Sequence, residues 1–229
     1  MALVRRWIHV PVPTPTGRAV ALGAVVGVVA ALPLLRGWAM TYGATDAELV
    51  ATLPGDDVVP RANTVATRAI TIAAEPEDVW PWLVQLGQGR GGFYSYDWLE
   101  NAVGLGIHSA DRIEPRWQDL AVGDLVHLAE EVALRAVVVE PGRALVLQGA
   151  VAPGDAPPPY DFTWAFVLAA RPFGMTRLVV RERYGYTRRF ASLIVEPAQA
   201  VSFLMTTRML RGIRDRAERA AGTTPPPPD

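Results

Sequence analysis

The chain has 229 residues, half of them hydrophobic and a fifth charged, a composition that excludes a mainly disordered or collagen-like polymer. It contains no cysteine and no lysine, which rules out disulfides, thiolate metal sites, iron–sulfur clusters, thiol nucleophiles and lysine Schiff bases. The net charge of −1 conceals +4 over residues 1–42 and −5 over the rest, and His9, His108 and His127 are too few and too scattered for a multi-histidine metal centre.

Residues 1–18 are a basic, proline-rich leader in which Pro11-Val12-Pro13-Thr14-Pro15 reads as an extended linker. Ala19 to Leu35 is an uncharged run of seventeen residues between Arg18 and Arg36. As a helix it would be roughly 25 Å long, at the short end of what crosses a bilayer core. Trp38 and Tyr42 follow, as interfacial aromatics would. Residues 19–35 therefore read as an uncleaved transmembrane anchor. A cleaved signal peptide lacks a clean small-residue site in Arg36-Gly37-Trp38-Ala39-Met40-Thr41, and a buried helix or an interfacial hairpin are the other readings the length admits. Arg5, Arg6 and Arg18 before the span, against Arg36 after it, put the N-terminus in the cytoplasm and the main domain outside. The expected localisation is thus the cell membrane, single-pass, followed by a linker segment over residues 36–63.

The domain expected over residues 64–221 opens with Thr64–Ile72, a β-branched strand with Arg68, Ile70 and Ile72 on one face. Glu75-Pro76-Glu77-Asp78 starts a helix, with proline at the tolerated first position and acids against the positive dipole end. Val79, Trp82, Leu83 and Leu86 form its apolar stripe, and Pro81 should kink it. After a glycine-rich loop from Gly87 to Tyr96, a short helix runs to about Val103. Strands follow at Asp124–Glu130, Leu134–Glu140, Ala144–Gly149, Tyr160–Leu168 and Met175–Tyr186. In the last, Leu178, Val180, Glu182 and Tyr184 share one face, and Arg177, Arg181 and Arg183 share the other, which reads as solvent-facing. A long helix from about Glu196-Pro197 to Ala220 carries Val201, Met205, Met209, Ile213 and Ala217 as its spine, and residues 222–229 read as a disordered proline tail. A curved antiparallel sheet needs its apolar face covered, and this helix is the available lid; a cavity between the two would suit Met205 and Met209.

This order of elements, with AITIAAEPEDVWPWLVQLGQGRGGFYSYDWLEN (Ala69–Asn101) and TWAFVL (Thr163–Leu168), resembles the SRPBCC or START-like helix-grip superfamily over roughly residues 43–220. Within it the Gly-Arg-Gly-Gly-Phe-Tyr-Ser-Tyr-Asp run is similar to a narrower set of actinobacterial members. The resemblance implies an α+β helix-grip fold, a curved antiparallel sheet wrapped on the long C-terminal helix, with a deep hydrophobic cavity and an apolar small molecule or lipid as partner. It implies no reaction, because the superfamily includes carriers, cyclases and hydroxylase components. The expectation is a membrane-anchored binding protein with no cofactor. The alternatives are a cyclase-like or hydrolytic enzyme using the same cavity, or a structural domain whose core is filled by its own aromatics.

Trp82, Phe93, Tyr94, Tyr96, Trp164, Phe166, Val180, Val201, Met205 and Met209 are the residues expected to line the cavity, with Arg90, Asp97 and Glu100 as its polar mouth. Arg90 could hold an anionic head group, although an arginine fastening a glycine-rich loop is the plainer reading. The letters Gly87-Gln88-Gly89-Arg90-Gly91-Gly92 match a dinucleotide fingerprint, but a helix precedes them where a strand is required. Catalytic candidates are weak: His108 beside Asp111 and Glu114, the inward Glu182, and Asp97. The arginines of the C-terminal helix alternate with Asp215 and Glu218 and lack an aromatic platform, so nucleic acid is not an expected partner.

Overall fold

The computed structural model of the chain describes residues 33–102, 104–151 and 156–223. The leader 1–18, residues 19–32 of the expected span and residues 224–229 of the tail lie outside them. No helix among the described residues is long and apolar enough to cross a membrane, which overturns the expected single-pass localisation. The described end of that segment, residues 33–40, is helical and carries Arg36.

Residues 38–229 group as one compact unit. Its described part contains α1 (Asp46–Val50), β1 (Thr64–Ile72), α2 (Pro76–Val84), α3 (Asp97–Ala102), a 3₁₀ turn (Pro115–Trp117), β2 (Leu125–Ala129), β3 (Val132–Glu140), β4 (Ala144–Gly149), β5 (Tyr160–Arg171), β6 (Met175–Tyr186) and α4 (Ala191–Thr223). The strands form one antiparallel sheet in the order β1-β6-β5-β4-β3-β2. Since β1 and β2 are its two edges, everything between them in sequence must travel from one edge of the sheet to the other. That passage is made by α2, the glycine-rich loop and α3, and it closes one side of the inner face.

The outer face of β6 departs from its sequence reading. Arg177, Arg181 and Arg183 do alternate away from the core, but residues 43–60 cover them. Arg181 is 2% exposed. Its Nε donates to Thr67 Oγ1, directly opposite on β1, at 3.0 Å, and its Nη1 donates to Ala51 O at 2.8 Å and Asp56 Oδ2 at 2.7 Å. Its Nη2 donates to Glu48 O at 2.6 Å and Leu49 O at 3.3 Å. Arg177 holds both oxygens of Glu48 at 2.8 Å, and Arg183 donates to Val59 O. Glu48 also closes a capping box with Thr45 at the start of α1. The region read as a linker is therefore, over residues 43–60, a strap laid on the sheet, fastened by planar guanidinium forks that match carboxylates and carbonyls.

On the inner face lies the core: Ile72, Val79, Leu83, Phe166, Leu178, Met209, Ile213 and Ala217 are buried together. Helix α4 starts at Ala191, five residues before its expected beginning, and carries Pro197 within it. Its expected spine holds only in the C-terminal half. Each i+4 step turns a helix by about 400°, a drift of about 40° per step, so a strict i+4 row walks off the buried face. Met209, Ile213 and Ala217 are buried, whereas Val201 is 60% exposed. The sheet-facing row instead runs Val195, Gln199, Ser202, Thr206, Met209 and Ile213, and it is polar where it crosses β6.

Candidate functional site

The site is built where the two halves of α4 differ. Its C-terminal half is locked into the core. Gly212 lies so close to the glycine-rich loop that a Cβ there would come within 2.2 Å of Tyr94 O. Its N-terminal half meets the sheet through Ser202 and Thr206 on β6, and beside that contact is a cavity of about 590 Å³, within the range that takes a drug-sized ligand. Phe162, Trp164, Glu182 and Tyr184 of the sheet form its floor. Val201, Ser202, Leu204, Met205, Thr206 and Met209 form its roof, and Phe93, Ser95, Leu99, Glu100, Leu105 and Ile107 close the side, with Leu128 from β2. Val201 and Leu204 are also exposed to solvent, which marks the opening. A second concavity of about 720 Å³ shares Leu128, Phe162 and Tyr184 with the first, but charged and polar residues such as Glu131, Gln148, Asp161 and Arg188 line it. The inner cavity, walled by sheet, helix and the α3 side, is the candidate site.

Five of the ten residues expected to line the cavity do so: Phe93, Trp164, Val201, Met205 and Met209. Trp82, Phe166 and Val180 are buried in the core beside it instead. Tyr96 packs its ring against Trp98 at 6.4 Å and is not on the wall. Tyr94 is a core residue of the loop, not a contact surface for ligand. Its backbone takes φ +56°, a strained left-handed conformation for a large side chain. The strain is held by several contacts: Gln85 donates to the Tyr94 hydroxyl at 2.9 Å, that hydroxyl donates to Trp82 O at 3.2 Å, and the Arg216 guanidinium lies 4.7 Å from the ring centroid. Burial pushes the Tyr94 phenol well above its ordinary value.

Of the expected polar mouth only Glu100 reaches the cavity. Arg90 donates to Val84 O at 2.8 Å and Trp117 O at 2.9 Å, so it ties α2 to the 3₁₀ turn through carbonyls. Burial lowers its pKa from the ordinary arginine value. Asp97 accepts from the Ser109 backbone N–H at 2.7 Å and from the Ser109 hydroxyl at 2.6 Å, pinning the loop that follows α3. The glycines serve the reversal: Gly87 and Gly92 exchange backbone hydrogen bonds, and Gly92, at φ +71°, leaves no room for a Cβ against His108 and Ser109.

The catalytic candidates are not brought together. His108 is exposed, and Asp97 is engaged with Ser109. Glu182 does line the cavity, and its carboxylate is occupied. Arg68 Nη1 donates to it at 2.8 Å, the Ser202 hydroxyl reaches both oxygens at 2.7 and 2.6 Å, and the Thr206 hydroxyl donates at 3.0 Å. The carboxylate is already the charge partner of a buried arginine and accepts from two hydroxyls, so it is committed to the packing of α4 on the sheet. Glu100 is different in kind. It is 4% exposed, its Oε1 accepts from the Ser95 hydroxyl, and its Oε2 has no partner among the described residues. Burial, with a smaller contribution from Asp97, raises its pKa against the opposing Ser95 hydrogen bond. Tyr184 is pushed far up by burial and then by the nearby Glu182 and Tyr160, so its phenol stays protonated.

The polar wall is what the sequence reading missed: Ser95, Ser202, Thr206 and Tyr184 were not among its site residues. The signal available was Ser202 and Thr206 at i, i+4 on α4 facing a carboxylate that strand alternation had already turned inward.

No family profile matches the chain, and no curated protein does. It is similar to solved structures of low sequence identity. Protein MLL2253 from Mesorhizobium loti has 16% identity and a TM-score of 0.42 over 68% of this chain and 98% of its own. A norcoclaurine synthase point mutant from Thalictrum has 14% identity and a TM-score of 0.41 over 69% and 93%. Ara h 8.0201 has 14% identity and a TM-score of 0.42 over 70% and 99%. The strand, helix pair, run of antiparallel strands and long C-terminal helix described above make this an α+β helix-grip arrangement, a six-stranded antiparallel sheet with one long C-terminal helix.

Proposed function

We propose that the chain is a binding protein for a predominantly apolar small molecule or lipid, held between the inner face of β5–β6 and the N-terminal half of α4. The observation that carries this reading is the cavity of about 590 Å³, unfilled by the protein's own aromatics and walled chiefly by Phe, Trp, Leu, Ile, Val and Met side chains. Burying apolar ligand surface there, at about 25 cal/mol per Å², supplies affinity without any charged contact. Met205 and Met209 form a wall that adapts to ligand shape. The placement of His108 and Asp97 away from the cavity, and the pairing of Glu182 with Arg68, favour binding over the enzymatic alternative.

The test is a fluorescence titration of the full chain with Nile red, a neutral apolar dye, against Met205→Trp, which places an indole in the cavity. The expected result is saturable one-to-one binding with a blue-shifted emission, weakened at least tenfold in the variant. Equal binding by both proteins would place the dye elsewhere and remove the support for this cavity.

A further inference from the structure

Resting on the cavity-binding reading above, we propose that Glu100 is the ligand-recognition residue of the cavity and that it receives a hydrogen-bond donor, a hydroxyl or an amine, from an otherwise apolar ligand. Three observations converge on it. The carboxyl is buried in the cavity wall, yet only one of its oxygens is used: Ser95 donates to Oε1, and Oε2 has no partner among the described residues. Buried polar atoms are nearly always paired in folded proteins, so an orphan oxygen on a residue that lines a ligand-sized cavity points to a partner that arrives with the ligand, met by a turn of the carboxyl towards the cavity.

The other carboxylate of the wall, Glu182, is already engaged on both oxygens by Arg68, Ser202 and Thr206, whereas Glu100 has one oxygen with no partner among the described residues. Trp164 adds a second unpaired group. Its indole Nε1–H is buried with no partner among the described residues, and it lines the same cavity as Glu100. A hydroxyl is suited to both, donating to a carboxylate oxygen and accepting from an indole N–H.

The charge of the wall sets what is refused. Among the described residues that line the cavity there is no arginine or histidine, and the chain has no lysine. An anionic ligand such as a fatty acid would bring a carboxylate to a wall whose one unpaired ionisable group is itself an acid. Burial raises the Glu100 pKa, and a hydroxyl pairs with either form of the group, donating to a carboxylate or accepting from an acid.

The test compares four ligands of one apolar body by calorimetry on the full chain at pH 7: 2-naphthol, 2-naphthylmethylamine, 2-methoxynaphthalene and 2-naphthoate. Expected is at least tenfold tighter binding of the naphthol or the amine than of the methoxy compound, with naphthoate weakest. The tighter of the first two assigns the donor as hydroxyl or ammonium. In Glu100→Leu this advantage should collapse to less than threefold. If that variant does not fold, Glu100→Gln and the ranking on the unsubstituted chain decide. Equal binding of all four, preference for naphthoate, or an advantage that survives in Glu100→Leu would overturn the role of Glu100 and leave the cavity reading standing. Absence of binding by every compound would overturn both.

Discussion

Arg68 on β1 and Glu182 on β6 are diagonal neighbours across the ladder, Glu182 standing directly opposite Ala66, and their side chains meet at 2.8 Å while only 1% and 4% exposed. Ser202 and Thr206 of α4 complete the network from above, and Arg68 Nε reaches Ala39 O. The helix is thereby anchored over a polar point on an otherwise apolar sheet, and the carboxylate at the cavity floor is neutralised. A buried pair of this kind is costly to break from one side, because the remaining charge is stranded without water. Arg68→Met and Glu182→Leu should each destabilise the fold by about 3–5 kcal/mol in urea unfolding. The double substitution should recover most of that loss. A double variant as unstable as the sum of the two singles would contradict the pairing.

The strap over the outer face makes stability depend on acid. Its hydrogen bonds to Arg177, then those to Thr45, hold the Glu48 carboxyl at about 2, below its ordinary 4.5, despite partial burial. The folded value is the depressed one, so the stabilisation is complete above about pH 4.5 and is lost as pH falls towards 2. Arg177→Gln should therefore cost about 1–2 kcal/mol at pH 7, with the difference from the unsubstituted chain shrinking below pH 4.5. Chemical unfolding of both proteins across a pH series measures it. A gap that widens as pH falls would be the wrong sign.

Hydrogen exchange should report the same strap locally. Backbone amides of residues 43–60 are held through side chains of β6, chiefly the Arg181 fork to Ala51 O, Glu48 O and Asp56. Arg181→Met should raise exchange across that segment while leaving β4 and β5 protected. Uniform loss of protection over the whole sheet would show that the strap is not a separable element.

Close approach of α4 to the glycine-rich loop gives a sharper geometric expectation. At Gly212 an added Cβ would meet Tyr94 O at 2.2 Å and Tyr94 Cβ at 2.7 Å, whereas at Gly222 nothing lies within 4 Å. Gly212→Ala should lower stability by about 1–3 kcal/mol despite the better helix propensity of alanine. Gly222→Ala should be neutral or stabilise by up to about 1 kcal/mol. Thermal melts of the two variants separate the effects, and a stable Gly212→Ala protein would refute the packing.

Periodicity made the sheet legible. Alternation in Thr64–Ile72 and Met175–Tyr186 assigned both strands their residues, grouped Arg68 with Ile70 and Ile72, and turned Glu182 inward, where its carboxylate meets Arg68. Alternation names a face without naming what covers it, which is why Arg177, Arg181 and Arg183 read as solvated. Their cover is an irregular segment whose matching charges, Glu48 and Asp56, show no periodic signal. On α4 a search for apolar spacing followed Val201 and Met205 along a drifting row and passed over Gln199, Ser202 and Thr206, which face the sheet. Pro197 delayed the expected start of that helix, although a proline inside a helix is tolerated here within the first two turns. The separation of Trp164, which lines the cavity, from Phe166, which does not, depends on how α4 lies across the sheet, and no local pattern encodes that.

The measurement that bears most directly on the account is native mass spectrometry of the full chain purified from its host, followed by organic extraction, for the unsubstituted protein and Met205→Trp. Expected is a co-purified neutral or amine-bearing apolar compound in stoichiometric amount, lost from the variant while its melting temperature stays within a few degrees. A chain that carries no bound mass and gains no thermal stability from hydroxylated apolar compounds would contradict a ligand-binding role for this cavity.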